Sequence, residues 1–243
     1  MGRMSANLLG CITQLASKGG SGGYRERYPL ADVKDAVIGG WDIRSIPMGE
    51  ALYNARILDF DLVRKVQKEM DGMDVLPGVW DPDFIGETQH KTATRVVGDG
   101  ETQQRRLDLL RANIREFRDN NGVTGHISVI WSASVERPSG TDFEEPEEIL
   151  RAIAEDNKEV SPSMLYATAA ILEGCSFING GSQNTMCGAL VKLAEVRNRG
   201  VKCHLQRANA CYMLGTDFKA GQTKFKTAAV EYIRSLGMCP KVQ

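Results

Sequence analysis

The stretch GTDFKAGQTKFK, residues 215–226, sets Lys219, Lys224 and Lys226 within eight positions, among small and hydroxyl-bearing residues and beside Asp217. Ammonium groups gathered in this way can hold an anion and hand it a proton. A solvated helix face carries the same residues, so charge alone leaves both readings open. Three other stretches share a different pattern: GGWD at 39–42, WSAS at 131–134 and INGG at 178–181. Each reads as the end of an apolar strand running into glycines or small polar residues, which is where ligand sites form in parallel sheets. Glycines also simply turn chains, so the pattern counts because it occurs three times.

The elements that must position these groups follow from hydrophobic period and punctuation. Residues 35–40, DAVIGG, read as a short buried strand. One long helix is expected over about 47–70, with Ala51, Leu52, Ala55, Leu58, Leu62, Val63 and Val66 on its inner face and a stop at Asp71-Gly72. LPGVWDPDFIG, 76–86, holds two prolines and two glycines and cannot be one regular element. A second helix spans 102–119 with Leu107, Leu110, Ile114 and Phe117 inward, and HISVIWSAS, 126–134, is the clearest central strand. A short acidic helix covers 144–155. Ser161 and Pro162 fit the cap and first position of another long helix. FING, 177–180, is again strand-to-glycine, with a helix from about 184 to 198. Alternating strands and helices, with strands apolar throughout, predict an α/β fold: a parallel sheet covered by helices on both faces.

Bulk properties narrow the function classes. The chain has 243 residues, 42% hydrophobic and 25% charged, the balance of a globular protein with a sizeable core. A formal net charge of −1 gives no electrostatic support for a nucleic-acid partner. No apolar run is long enough to span a membrane, and the first twenty residues make a poor signal peptide. The six cysteines form no CxxC pair and fit neither a zinc site nor a disulfide framework, so reduced thiols and an intracellular protein are expected. No GxGxxG turn precedes the first strand, and GGSGG at 19–23 reads as a flexible loop.

At GGWDI, LPGVWDPDFI, WSASVER, SPSMLYATAAILEG, FINGGSQNT and GTDFKAGQTKFK the sequence resembles myo-inositol-1-phosphate synthases of the eukaryotic type, over roughly residues 5–240. The resemblance implies an incomplete Rossmann-like parallel sheet over 1–160 that binds NAD, followed over 161–243 by the start of a catalytic and oligomerisation domain. It implies an isomerase that turns glucose 6-phosphate into inositol phosphate by oxidation, enolisation, intramolecular aldol closure and return of the hydride. The product would feed inositol phospholipid synthesis, in a cytosolic, commonly tetrameric enzyme. Carried over by position, Asp42 takes the adenosine ribose, with turn or helix cap as its plain alternative. Gly78, Val79 and Gln89 wall the adenine. Ser132, Ala133, Ser134 and Val135 form the cofactor loop, and Gly180, Gly181, Asp217 and Ala220 also face the cofactor. Lys224 and Lys226 face the substrate, with Lys219 either beside them or on the surface. No metal is expected.

The sequence also departs from the family pattern. Val135 replaces a hydroxyl, Gly181 and Ala220 replace serines, and Thr216 replaces an acid. Each lost hydrogen bond costs roughly 1–3 kcal/mol where the partner stays buried and unmatched. VKCHLQRANACYML, 201–214, looks like an insertion. The family's glycine-rich pyrophosphate turn and its later lysines have no counterpart, so the chain alone is expected to be weakly active or inactive. The alternative is a shortened, non-catalytic paralogue that associates with full-length subunits.

Overall fold

The computed structural model describes residues 35–199, leaving out 57, 98, 99 and 182. Lys219, Lys224, Lys226, Asp217 and Ala220 therefore lie outside the described residues, as do the 201–214 segment and the glycine-rich 19–23 segment.

Short apolar runs find parallel partners. β1, Gly40–Asp42, pairs in parallel with β2, Val75–Pro77, placing Asp42 opposite Pro77. Parallel neighbours require a crossover, which here is α1, Met48–Ala55, and α2, Phe60–Asp71. A 3₁₀ turn over Glu87–Thr92 and α3, Gln103–Asn120, lead to β3, Ser128–Trp131. The second crossover is α4, Pro146–Ala154, and α5, Pro162–Leu172. It ends in β4, Ser176–Asn179, parallel to β3, and α6, Gly188–Arg199, follows. The fold is thus α/β with parallel strands, held among the described residues as two pairs, β1–β2 and β3–β4.

The main core surrounds α5. Ser161 accepts the Met164 N–H as its cap, Pro162 sits in the first turn, and Pro162 through Ile171 are all buried. Ala167, Ala169 and Ala170 keep the helix thin enough for α3, β3 and β4 to close on it, with Leu110, Ile114, Ile149 and Ile153 filling the gaps. Thr102 caps α3 through the Arg105 N–H. Glu173, just past α5, takes Arg111 at 2.8 Å and Arg115 at 2.6 Å, tying that end to α3.

Three expectations need correcting. The single helix over 47–70 is two helices. Arg56 adopts a left-handed backbone at φ 52°, and Asp59 is extended before α2 begins. Ala55 and Leu62 are seven residues apart, two full turns, so the break leaves the apolar period intact and is invisible to it. The two helices pack on each other through Met48, Leu52, Val63, Val66 and Met70, a small core of their own. The strand expected over 35–40 starts only at Gly40, and Val37 is 50% exposed. The stretch 76–86 is not one regular element: β2 ends at Pro77, which takes the strand's last position. β3 is not apolar on both faces in use: Val129 and Trp131 are buried, whereas Ile130 lines an open cleft.

Gly49 marks the closest approach of α1 to α2. A Cβ there would meet the Gln67 carbonyl oxygen, the Gln67 Cγ and the Asp71 carboxylate, each at 2.7 Å. Gly49→Ala should therefore destabilise the fold by about 1–3 kcal/mol, although alanine is the better helix former; a urea melt reads the loss. Arg115 and Arg111 hold the Glu173 carboxyl below its ordinary value. The stability it contributes is full above its unfolded value, about 4.3, and is lost as pH falls through the lowered folded one. Glu173→Gln should flatten that acid limb in melts taken from pH 7 to pH 3.

Candidate functional site

A cleft of about 980 Å³ runs between the β1 segment, 35–44, and the β3 segment, 121–134. That is the upper end of the roughly 300–1,000 Å³ usual for small-molecule sites. It is uneven in character. Along residues 36–41 and 123–131 its wall mixes apolar side chains such as Val37, Ile38, Trp41, Val129 and Ile130 with glycines and the polar Thr124, His126 and Ser128. At one end Asp42, Arg44, Gln89, Ser132 and Ser134 bring polar groups together.

Asp42 closes β1 and is 5% exposed. Its Oδ1 accepts the Arg44 N–H at 2.8 Å, a local turn that fixes the carboxylate at the strand end. Its carbonyl accepts the Gly78 N–H at 3.1 Å. Gly78 is sandwiched: its N–H also reaches the Arg95 carbonyl, its own carbonyl takes the Val97 N–H, and a Cβ would stand 3.0–3.2 Å from Ile43 and the Asp42 carbonyl carbon. Glycine is needed there for backbone packing beside the acid. Val79 follows, buried, with its N–H donated to the Tyr166 hydroxyl at 2.9 Å. Gln89, on the 3₁₀ turn, donates from Nε2 to the Ser134 hydroxyl, joining that turn to the loop after β3.

Of the residues singled out from sequence, the structure thus brings Asp42, Gly78, Val79, Gln89, Ser132, Ala133 and Ser134 to one cleft. It does not bring Val135, Gly180 or Gly181 to its lining. Val135 is 41% exposed. Gly180 donates its N–H to the Trp131 carbonyl at 2.7 Å, and Gly181 donates to Asn179 Oδ1 at 2.9 Å, so both complete the turn out of β4.

Sequence reasoning missed the aromatic floor. The Tyr166 ring lies 5.1 Å from that of Trp41 and 5.5 Å from that of Trp131, and all three residues line the cleft. Trp41 donates its indole N–H to Asn113 on α3 at 2.9 Å. Burial pushes the Tyr166 phenol well above its ordinary value, so it stays protonated. The available signal was a tyrosine inside an otherwise small and apolar helix, since a buried phenol needs a polar partner.

A dinucleotide suits this donor set. A buried carboxylate at a strand end can accept from both hydroxyls of a ribose. The Ser132 and Ser134 hydroxyls and the Gln89 amide offer neutral contacts, and Val79, Ile85 and the aromatic floor offer flat apolar surface. The buried Trp131 Nε1 has no hydrogen-bond partner among the described residues.

Tyr166→Phe would keep the ring contacts and strand the buried Val79 N–H. The expected cost is about 1–3 kcal/mol in a chemical melt, with faster amide exchange at Val79 than elsewhere in the core.

Comparison with known proteins bears on which dinucleotide and which family. Residues 1–220 match the NAD-binding family model described as myo-inositol-1-phosphate synthase, which makes NAD the cofactor. The chain is 36% identical over 246 residues to inositol-3-phosphate synthase isozyme 2 of Arabidopsis thaliana, covering 97% of this chain and 45% of that protein. It is 36% identical over 217 residues to the Trypanosoma brucei brucei inositol-3-phosphate synthase, covering 88% of this chain and 38% of that one. The crystal structure of the Caenorhabditis elegans inositol-3-phosphate synthase superposes with a TM-score of 0.78 at 28% identity, over 99% of this chain and 52% of that chain. The chain therefore spans about half the length of the relatives it matches, and it belongs to the myo-inositol-1-phosphate synthase family.

Proposed function

We propose that this chain carries the dinucleotide-binding part of an NAD-dependent isomerase that converts D-glucose 6-phosphate to 1D-myo-inositol 3-phosphate. The observation that carries the reading is the placement of the buried Asp42 carboxylate at the end of β1, in one cleft with Ser132, Ser134 and Gln89. The relatives named as inositol-3-phosphate synthases support the reaction class.

In this reading Asp42 accepts from the adenosine ribose, while Gly78, Val79 and Gln89 wall the base. Ser132, Ala133 and Ser134 hold the rest of the cofactor. NAD held by these residues would supply the hydride acceptor for the oxidation and the hydride donor for the final reduction. Lys224 and Lys226, with Lys219 near them, would neutralise the substrate phosphate and supply the proton that an enolate takes up. Asp217 and Ala220 stand beside the cofactor on the same stretch. The sheet-bearing layer and the lysine-bearing stretch form two functional domains. The first covers 1–160 and the second begins at 161. Cytosolic location, assembly into a homo-oligomer and supply of inositol for phospholipid synthesis belong to the same proposal.

Two measurements test it. The full chain should quench its own tryptophan fluorescence on adding NAD, since Trp41 and Trp131 line the cleft, and Asp42→Asn should weaken that binding by about tenfold or more. Product formation from glucose 6-phosphate and NAD then reads the activity. Loss of turnover in Lys224→Ala or Lys226→Ala with unchanged NAD affinity would place those lysines at the substrate. An absence of NAD quenching in the unmodified chain would sink the cofactor assignment.

A further inference from the structure

Directly after the Ser132–Val135 loop, Glu136 turns inward and is only 3% exposed. A carboxylate taken out of water must be surrounded by donors or surrender its charge. Here the donors come from the start of α5. Glu136 Oε1 accepts the Ser163 N–H at 2.9 Å, and Oε2 accepts the Ser163 hydroxyl at 2.5 Å. Position 163 is in the first turn of α5, where free N–H groups and the helix dipole favour a negative charge.

The contacts continue beyond the carboxylate. Ser163 Oγ lies 2.8 Å from Thr185 Oγ1 and 3.1 Å from Ser161 Oγ, and all three hydroxyl residues are buried. Ser163 has one proton, and the carboxylate takes it. The Thr185 hydroxyl then donates toward Ser163, while Ser161 has its own proton to direct to Ser163 or to the carboxylate, so the carboxylate orders the hydroxyls around it. Ser161 meanwhile still accepts the Met164 N–H as helix cap. Burial raises the Glu136 carboxyl above its ordinary value, and the hydrogen bonds from Ser163 and Ser161 oppose that shift.

Thr185 belongs to the segment between β4 and α6, and Glu136 to the segment after β3. The two exit loops of the β3–β4 pair are therefore joined below the surface through one carboxylate and one serine. The neighbouring residue anchors the same segment to a third loop. Arg137 donates its backbone N–H to the Phe84 carbonyl at 2.9 Å and from Nε to the Asp83 carbonyl at 3.0 Å, and its guanidinium stacks 4.1 Å from the Phe84 ring centroid.

We propose that Glu136 is a positioning residue for the cofactor cleft. By holding the β3 exit loop against the start of α5 and the β4 exit loop, it sets where Ser132 and Ser134 stand. The proposal rests on the reading of the cleft as the dinucleotide site, but its mechanical part can be tested separately. Full-length Glu136→Gln and Thr185→Val are compared with the unmodified chain by hydrogen exchange, NAD titration, AMP titration and thermal melting. Exchange should quicken about tenfold or more in both 132–135 and 184–187, with α3 unchanged. NAD affinity should fall about tenfold, whereas AMP, held at the Asp42 end, should bind as before. A generally loosened fold would weaken both ligands together and would overturn the proposal.

Thr185→Val keeps the Glu136–Ser163 contacts and leaves no charge stranded. It remains decisive if the Gln variant melts early. Unchanged exchange in 132–135 for Thr185→Val, or unchanged NAD affinity in a folded Glu136→Gln chain, overturns the inference. If the unmodified chain fails to bind NAD, the cofactor reading falls, and coupled exchange of the two loops alone decides whether Glu136 joins them.

Discussion

The cleft depends on one side chain, Tyr166. Among the described residues the strands form two separate parallel pairs, so no backbone ladder runs from β1 to β3. Tyr166, fixed on the buried α5, bridges them. Its ring touches Trp41 of β1 and Trp131 of β3, and its hydroxyl accepts the Val79 N–H just past β2. Edge-on aromatic contacts add about 0.5–1.5 kcal/mol each beyond the apolar area they bury. The hydroxyl bond matters differently: without it a buried backbone donor has nowhere to turn. The geometry of the cleft is therefore set from beneath, by a helix, and less by the strands that line it.

The two buried carboxylates near this cleft show how the same group is put to different uses. Glu136 lies below the surface, takes both a backbone N–H and a hydroxyl from Ser163, and faces no part of the cleft lining. Asp42 lines the cleft and spends one oxygen on a local turn to Arg44. A carboxylate enclosed by donors organises its surroundings, and one that opens onto a cavity can organise a ligand. Burial alone does not separate these cases, since both residues are almost wholly covered. The direction of the donors does.

Much of the fold was legible because its signals were local. Ser161-Pro162 opens α5, Thr102 caps α3 and the 126–134 run contains β3, all as the residue types require. The GGWD and WSAS strand ends were also sound guides to the cleft. What sequence could not reveal was long-range or phase-neutral. The break at Arg56 preserves a seven-residue spacing, so helix period passes straight through it. The role of Tyr166 depends on partners 87 and more residues away in one case and on two different strands in the others. Glu136 reads as one more charge in a nearly neutral chain until its Ser163 and Thr185 partners, 27 residues and further on, are in place. INGG was read as a ligand loop; Gly180 and Gly181 satisfy the backbone of the turn out of β4 and lie outside the lining of the cleft.

The departures from the family pattern look different once the cleft is drawn. Val135 and Gly181 each lack a polar group that the resemblance led one to expect, and neither lines the cleft. At Gly181 the missing side chain is put to use: the Gln183 amide folds over it so closely that a Cβ would collide with Oε1. A serine at that position would have to displace the amide. Ser132, Ser134 and Gln89, which do line the cleft, retain their polar groups, and two of them bond each other across it. Among the described residues the lost hydrogen-bonding capacity thus falls outside the cleft lining, where water can replace it at little cost. What the described residues bring to the cleft is the Asp42 carboxylate, the Ser132 and Ser134 hydroxyls and the aromatic floor.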